Sequence, residues 1–308
     1  MKIKAILFDI DGVLVDVRQS YIETIRKTVE LYLGKQLRIP GRGRRLLSKD
    51  DVNRFKLLGG FNNDWDAVYG ILLYLLWLRG KAAGGEMSFG KLARLKNFEA
   101  LRRKVPSPCG IRGLERLTGK NRNICYKTAK DMFQELYLGK KLFRKRYRKN
   151  PRFTQKRGLI EKETLLVSPA ILSALRENKI RFGIVTGRTR FEAEYALRRF
   201  GILKYFDALV THDEIEAAEK KLRRPLRKPH PYPVLACAKK IKASAFFYVG
   251  DLPDDIKAAN GAKKKIRIAS CAFLWRQDNP VVMKKALRAA QPDFFINRPS
   301  DLLRLAAR

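Results

Sequence analysis

The chain has 308 residues, 45 % of them hydrophobic, which is enough for one large domain or two ordinary ones and excludes a disordered composition. No apolar run reaches the roughly 18 residues of a membrane span, and the first residues have no signal-peptide pattern, so we expect a cytoplasmic protein. The net charge of +37 favours polyanionic or phosphorylated partners, while four scattered cysteines and two histidines disfavour disulfide frameworks and zinc sites.

The chain begins with a short apolar strand that ends in acidic residues. Residues 3–8 are mainly apolar, and Asp9, Asp11 and Gly12 follow them. The next stretch shows helical periodicity and no strand alternation, with helices predicted at 20–34, 48–60, 64–80 and 128–146. We therefore predict an all-α domain over residues 17–165, inserted into a core domain formed by residues 1–16 and 166–308.

The second half of the chain alternates between strands and helices. Short apolar runs predict strands at 181–186, 206–211, 245–250, 266–273 and 293–297. Helices are predicted at 168–179, where Ser168 is the N-cap, and at 189–201, where Gly201 closes the helix. Further helices are predicted at 231–240, 253–260 and 281–290. This alternation predicts an α/β fold, with a parallel sheet covered by helices on both faces.

Polar residues follow three of these strands at the ends where ligands bind in open parallel sheets. They are Asp9 and Asp11 after the first strand, Thr186 after the strand at 181–186, and Asp251, Asp254 and Asp255 after the strand at 245–250. Lys228 falls between the last two groups. We expect these side chains to converge on one crevice.

Clustered carboxylates disfavour ionisation unless a cation compensates them. Mg²⁺ accepts one or two carboxylates together with water and phosphate oxygens, so an ion between Asp9 and Asp251 would stabilise the cluster. One oxygen of Asp9 would then be free to attack phosphorus, and Asp11 could serve as general acid and base. Lys228 would neutralise the phosphoryl oxygens and Thr186 would donate a hydrogen bond to one of them.

Four motifs in register resemble those of the haloacid dehalogenase superfamily. They are DIDGVLVD at 9–16, VTGR at 185–188, KPHPYP at 228–233 and GDLPDDIKAAN at 250–260. The resemblance covers about residues 1–20 and 165–308. It implies a Rossmann-like core, an aspartyl-phosphate intermediate and a requirement for Mg²⁺.

The resemblance also assigns residue roles. It implies that Asp9 is the nucleophile and Asp11 the acid and base, with the backbone carbonyl of Asp11 on the metal. It implies that Asp251 ligates the metal and that Asp255 supports it. It implies that Thr186 and Lys228 bind phosphate, and we count Gly187 with them. Gly12 is a further candidate, because it has no side chain where the backbone must approach the phosphate.

The acid at Asp11 separates phosphatases and phosphomutases of this superfamily from its dehalogenases and transport ATPases, which lack an acid there. The interval from Thr186 to Lys228, about 42 residues, is too short for a cap domain. The helical insertion is therefore the expected cap, as in the phosphoglycolate phosphatase-like branch, subfamily IA.

Some of these residues also have purely structural interpretations. Asp254 is favoured as a cap of the helix that follows it rather than as a catalytic group. In the cap, the stretch GGFNND at 59–64 offers Asn62 and Asn63 as substrate-binding residues, but an ordinary helix entry with Asn63 or Asp64 as N-cap is an equal alternative.

The sequence thus predicts a Mg²⁺-dependent phosphatase that acts on a small organic phosphate monoester. One alternative is a nucleic-acid-binding protein with activity on polynucleotide ends, since about 19 basic and 3 acidic residues lie between Leu101 and Arg157. This alternative is less favoured, because a basic run is most often a solvated face. A phosphomutase is the other alternative.

Overall fold

The computed structural model describes residues 3–41, 43–61, 63–82, 87–154, 156–277 and 279–306. The chain divides into two compact units. The sheet unit contains residues 1–16 and 164–308, and the helical unit contains residues 17–163.

The sheet unit is built on six parallel strands. They are β1 (Ala5–Phe8), β4 (Arg181–Val185), β5 (Ala208–Val210), β6 (Phe246–Gly250), β7 (Ile268–Phe273) and β8 (Phe294–Ile296). Their order in the sheet is β5-β4-β1-β6-β7-β8. In register, Leu7 of β1 lies beside Gly183 of β4 on one side and Tyr248 of β6 on the other. The strand order therefore changes direction at β1, which is where ligands bind in sheets of this kind.

Seven described α-helices accompany this sheet. They are α8 (Pro169–Glu177), α9 (Arg190–Arg199), α10 (His212–Leu222), α11 (Tyr232–Ile241), α12 (Pro253–Ala262), α13 (Pro280–Ala289) and α14 (Asp301–Ala306). Helix α8 begins as predicted, because the Ser168 hydroxyl accepts the N–H of Ile171 at 3.4 Å and Pro169 occupies the first helical position.

Both faces of the sheet are covered, as the sequence predicts. Ala5 and Leu7 of β1 pack in one buried cluster with residues of α11 and α12. The alternate residue Phe8 lies on the opposite face, edge-on to Phe182 at 5.6 Å between ring centroids, and Arg176 of α8 lies over the Phe182 ring. The predicted Rossmann-like α/β fold is confirmed.

Two short strands mark the points where the chain leaves the sheet unit and returns to it. Strand β2 (Val15–Asp16) pairs antiparallel with β3 (Thr164–Leu165). The N–H of Leu166 also donates to the carbonyl of Leu14 at 2.8 Å. The two crossings between the units are therefore adjacent.

The helical unit contains seven described α-helices. They are α1 (Tyr21–Lys35), α2 (Lys49–Lys56), α3 (Asp64–Lys81), α4 (Phe89–Leu95), α5 (Phe98–Arg102), α6 (Gly110–Thr118) and α7 (Tyr126–Tyr147). Its core includes the stacked rings of Tyr21 and Tyr137, with centroids 4.2 Å apart. Helix α3 is buried over most of its length, which explains its nearly continuous apolar sequence. Among the described residues, no helix is both long and apolar enough to cross a bilayer.

The structure departs from the sequence prediction in several places, and helices α4, α5 and α6 were not predicted. The helix predicted at 128–146 is broken at Gly139, which has φ +69° and ψ 174°. A Cβ at Gly139 would lie 2.1 Å from the backbone nitrogen of Gly158, so only glycine allows this approach. Helix α10 was not predicted, because its sequence HDEIEAAEKKL has few apolar residues to signal periodicity. The proposed role of the helical unit as a cap stays a prediction.

Candidate active site

The loops after β1, β4 and β6 carry the predicted site residues. Asp9 follows β1 directly, Thr186 follows β4, and Asp251 follows β6. Since β1 lies between β4 and β6, the carboxyl ends of these strands bring the three loops to one edge of the sheet. One carboxylate oxygen from each of Asp9, Asp251 and Asp255 lies within 4.8 Å of the others.

Lys228 links the acids of this cluster. Its Nζ donates to Asp9 Oδ2 at 3.0 Å and to Asp255 Oδ1 at 2.6 Å. The same ammonium donates to the Tyr248 hydroxyl at 3.2 Å and to the Val185 carbonyl at 3.4 Å. Lys228 is only 9 % exposed, so its charge is balanced by buried carboxylates rather than by water.

Burial governs the electrostatics of the acids. Burial raises the pKa of Asp9 to about 7, against the lowering effect of the Lys228 ammonium and with a further rise from Asp255 and Asp11. Burial also raises the pKa of Asp251 well above its usual value, and the neighbouring Asp255 and Asp9 carboxylates add to the rise. Burial alone would lower the pKa of Lys228, but Asp255 and Asp9 raise it well above its usual value. The cluster therefore has more negative charge than one lysine compensates.

Asp9 is held in a fixed orientation. Its Oδ1 accepts the backbone N–H of Ile10 at 2.7 Å, and its own N–H donates to the carbonyl of Val249 at 2.9 Å. Together with the Lys228 contact on Oδ2, these bonds fix the carboxylate at the end of β1. A group held in this way is preorganised for attack on a substrate.

Gly12 lies against Asp251. Its φ is +72°, and a Cβ at this position would lie 1.9 Å from Asp251 Oδ2. The sequence suggested that this glycine makes room for phosphate. In the structure, the neighbour that excludes a side chain at Gly12 is the Asp251 carboxylate.

Asp11 pairs with an arginine of the VTGR motif. Arg188 donates to Asp11 Oδ1 from Nε at 2.8 Å and from Nη2 at 2.6 Å. The Arg188 side chain is fully buried, whereas that of Asp11 is 29 % exposed. Thr186 is buried, and its hydroxyl accepts the N–H of Arg188 at 3.2 Å, while Gly187 between them is exposed. The predicted residues of the first and second motifs therefore meet.

The acid that caps helix α12 is Asp255, not Asp254 as the sequence suggested. Helix α12 begins at Pro253, and the carboxylate that accepts the Leu252 N–H, at 3.0 Å, is Oδ2 of Asp255. The prediction that Asp254 supplies this cap was wrong. Asp255 thus holds the loop after β6 with one oxygen and Lys228 with the other, which suits a supporting residue beside a metal.

Asn62 and Asn63 of the helical unit were proposed as substrate-binding residues. Asn62 lies outside the described residues. Asn63 is the N-cap of α3, because its Oδ1 accepts the N–H of Trp65 at 2.9 Å. The alternative interpretation of Asn63 as an ordinary N-cap is confirmed, and its proposed role in substrate binding stays a prediction.

The acidic cluster fits a hard divalent cation. Asp9, Asp251 and Asp255 offer only oxygen donors, which are the ligands that Mg²⁺ prefers. Burial, with the Asp255 and Asp9 carboxylates, raises the pKa of Asp251, and the Gln277 amide donates to its Oδ2 at 3.4 Å. A cation bound between Asp9 and Asp251 would remove the repulsion that burial intensifies.

Three further residues of the site were not singled out from the sequence. Arg188 binds Asp11, Tyr248 binds Lys228 and Asp255, and Gln277 binds Asp251. Arg188 stands in a quoted motif, and Tyr248 is three residues before Asp251 on β6, so a search around the motifs could have found both. Gln277 comes from the loop after β7, where no motif signals it.

Comparison with known proteins agrees with this geometry. The family model of haloacid dehalogenase-like hydrolases matches residues 3–263. The chain is 25 % identical over 307 residues to a protein of Caldanaerobacter subterraneus subsp. tengcongensis named "Putative pyrophosphatase PpaX", with 99 % of this chain and 95 % of that protein covered. It is 28 % identical over 189 residues to the phosphoglycolate phosphatase of Aquifex aeolicus, covering 61 % of this chain and 75 % of that protein.

Solved structures share the fold. Phosphatase Tt82 from Thermococcus thioreducens has a TM-score of 0.60 at 24 % identity, with 92 % of this chain and 98 % of that chain covered. Since the family model spans most of the sequence and the α/β fold is the same, this protein belongs to the haloacid dehalogenase-like hydrolase family.

Proposed function

We propose that the chain is a Mg²⁺-dependent phosphatase that hydrolyses a small organic phosphate monoester through a phosphoryl group carried on Asp9. The proposal rests on the side chains that surround Asp9. A buried carboxylate at the end of β1 is oriented by Lys228 and lies within a few ångströms of two further acids. A structural role alone does not explain why two buried acids, Asp9 and Asp255, share one lysine while a third, partly buried acid, Asp251, lies beside them.

The first step is attack on the substrate. A carboxylate oxygen of Asp9 bonds to phosphorus as the ester P–O bond breaks, and the electron pair stays with the departing alkoxide oxygen. Asp11, in its acid form, gives that oxygen a proton. Lys228 and Thr186 are proposed to bind the phosphoryl oxygens, where their positive charge and hydroxyl dipole stabilise the charge that develops.

The second step releases phosphate. A water molecule attacks the phosphorus of the aspartyl phosphate, Asp11 as carboxylate takes a proton from the water, and the P–O bond to Asp9 breaks. Asp9 is thereby regenerated as a carboxylate. Arg188 donates twice to Oδ1 of Asp11, and the Asp11 side chain is 29 % exposed, so Oδ2 is the oxygen proposed for both proton transfers.

Asp9, Asp251 and the backbone carbonyl of Asp11 would hold the magnesium ion, with Asp255 as their support. When bound, the ion would neutralise the acids and polarise a phosphoryl oxygen. In this proposal the helical unit acts as a cap, which favours a small ester over a bulky one. The names of the relatives add pyrophosphate and phosphoglycolate to the substrates that deserve testing.

Phosphate release from a panel of compounds tests the proposal. The panel contains phosphoglycolate, sugar phosphates, nucleoside monophosphates, pyrophosphate and nitrophenyl phosphate, each with Mg²⁺ and with a chelator. Asp9→Asn should leave less than about 1 % of the activity, because a neutral amide does not attack phosphorus. Asp50→Asn is the matched control, since Asp50 is an exposed acid of the helical unit.

Turnover of at least one ester that depends on both Mg²⁺ and Asp9 is the expected result. Activity that persists in Asp9→Asn while Asp50→Asn behaves as wild type would overturn the nucleophile assignment. Release from pyrophosphate alone would keep the mechanism but replace the monoester as substrate.

A further inference from the structure

The helical unit contains a segment with an extreme charge. Residues 140–157, here called the basic segment, contain ten Lys and Arg residues among eighteen and no Asp or Glu. The proposed phosphatase mechanism uses none of them. The basic segment begins at the kink at Gly139 and includes the last part of α7.

The basic segment is folded back on itself. The N–H of Lys140 donates to the carbonyl of Lys156 at 3.1 Å, which joins its two ends. In the middle, the N–H of Phe153 donates to a carboxylate oxygen of Glu135, a buried residue of α7. Arg148 ends the helix in a left-handed conformation with φ +57°. The cations are therefore presented by an anchored loop and helix, not by a free tail.

All ten cations of the basic segment are exposed. They are Lys140, Lys141, Arg144, Lys145, Arg146, Arg148, Lys149, Arg152, Lys156 and Arg157. Arg152 forms an ion pair with Asp131, at 3.3 Å. Physiological salt screens charges only beyond about 8 Å, so like charges that lie closer than this repel one another. With ten exposed cations and no acid of its own, the folded segment is a strongly cationic surface.

The spacing of the cations suits a row of phosphates better than one small anion. Arg144 and Lys145 follow Lys141 at intervals of three and four residues within α7, so the three lie along one side of the helix over about 6 Å. Five of the ten cations are arginines, whose planar guanidinium groups bind phosphate oxygens in pairs. A ligand that contacts most of the surface must carry several phosphates in series.

The apolar residues of the basic segment distinguish a nucleic acid from a membrane. Leu142 and Phe143 are 7 % and 1 % exposed, and the large exposed hydrophobic residues of the described chain all lie elsewhere. The segment therefore has no apolar face to insert among lipids. Tyr147 and Phe153 are partly buried, which limits base stacking and favours contact with the backbone.

We propose that the basic segment binds the phosphate backbone of nucleic acid, without sequence preference. This inference goes beyond the proposed phosphatase function and does not depend on it. The contacts are electrostatic, so each cation that meets a phosphate releases a counterion and adds about 0.7 to 0.9 to the slope of log affinity against log salt.

Fluorescence anisotropy tests the proposal, with labelled mixed-sequence DNA duplexes and RNA single strands of about 20 nucleotides. The full-length protein is titrated between 50 and 200 mM salt. The test variant carries Lys141→Gln, Arg144→Gln, Lys145→Gln and Lys149→Gln. The matched control removes the same charge from the sheet unit, with Lys239→Gln, Lys284→Gln, Lys285→Gln and Arg288→Gln. Vesicles with and without anionic lipid form a second arm, and circular dichroism checks the fold of both variants.

Wild type should lose about 100-fold or more in affinity over this salt range, which corresponds to about four phosphate contacts. The test variant should flatten the slope by about three, while the control should change it much less. Equal losses in both variants, or a wild-type slope shallower than about two, would overturn the proposal. Binding to anionic vesicles that nucleic acid does not displace, and that needs the basic segment, would assign the segment to a membrane instead.

Discussion

Replacing Gly12 with alanine perturbs the proposed metal site through a single methyl group. The added Cβ would lie 1.9 Å from Asp251 Oδ2 and 2.5 Å from Asp251 Cγ. An ordinary van der Waals contact begins at about 3.4 Å, so the carboxylate must retreat by roughly 1.5 Å. Its carboxylate group would then leave the cluster that it forms with Asp9 and Asp255.

Two costs follow from this substitution. Alanine at φ +72° costs about 1–2 kcal/mol of folding free energy, because its Cβ approaches a backbone carbonyl oxygen. Displacement of a catalytic group by about 1 Å reduces turnover by about 100-fold. We therefore expect Gly12→Ala to fold with a modestly lower melting temperature, to need more Mg²⁺ for half-maximal rate, and to turn over about 100-fold more slowly.

Thermal melts and a Mg²⁺ titration of phosphate release measure these effects. Gly34→Ala is the matched control, because Gly34 lies in α1 and a Cβ there would meet nothing within 4 Å. In the control, alanine should stabilise the helix by about 0.5–1 kcal/mol and leave the rate unchanged. If Gly12→Ala kept both its Mg²⁺ requirement and its turnover within threefold of wild type, the close approach of Gly12 to Asp251 would not matter for activity.

Asp11→Asn should slow formation of the phosphoenzyme by about 10²–10⁴ for poor leaving groups and much less for nitrophenol, and rapid-quench measurements that find the same loss for both would contradict its role as acid. Lys228→Met leaves Asp9 and Asp255 without their shared cation, so we expect about 3–5 kcal/mol of destabilisation in denaturant melts; a loss of activity at wild-type stability would instead limit Lys228 to substrate binding. Because the pKa of Asp9 is raised to about 7, the metal-free protein should lose stability as the pH rises from about 4 to about 7, since the unfolded chain gives up its proton first. Mg²⁺ needs the carboxylates ionised, so it should raise the melting temperature more at pH 7.5 than at pH 5, and an equal rise at both values would count against these ligands.

The parallel sheet and the meeting of the motifs could be predicted from the sequence, because both follow from local patterns. Apolar runs bounded by turns gave the six strands, and the rule that ligands bind beyond the carboxyl ends of strands brought Asp9, Thr186 and Asp251 together. The predicted strands exceed the observed ones by one or two residues at their ends, because a local pattern does not show at which residue the hydrogen-bonded ladder stops.

The remaining features depend on contacts between residues that are distant in the sequence. The kink at Gly139 is set by its approach to Gly158, and the pairing of Arg188 with Asp11 joins residues 177 positions apart. Helical periodicity in α7 continues through the glycine, so only the tertiary contact reveals the break. Likewise, nothing local distinguishes Tyr248 from any other aromatic residue in a buried strand.

The pairing of β2 with β3 affects which changes of sequence the inserted helical unit can tolerate. Asp16 pairs with Thr164, so the ends of the intervening 147 residues are held as closely as those of a hairpin, about 5 Å apart. The sheet unit already closes this loop with its own hydrogen bonds, whatever sequence lies between. Insertions, deletions or an entire substitute domain could therefore enter at this junction, while the strand register around Asp9 stays the same.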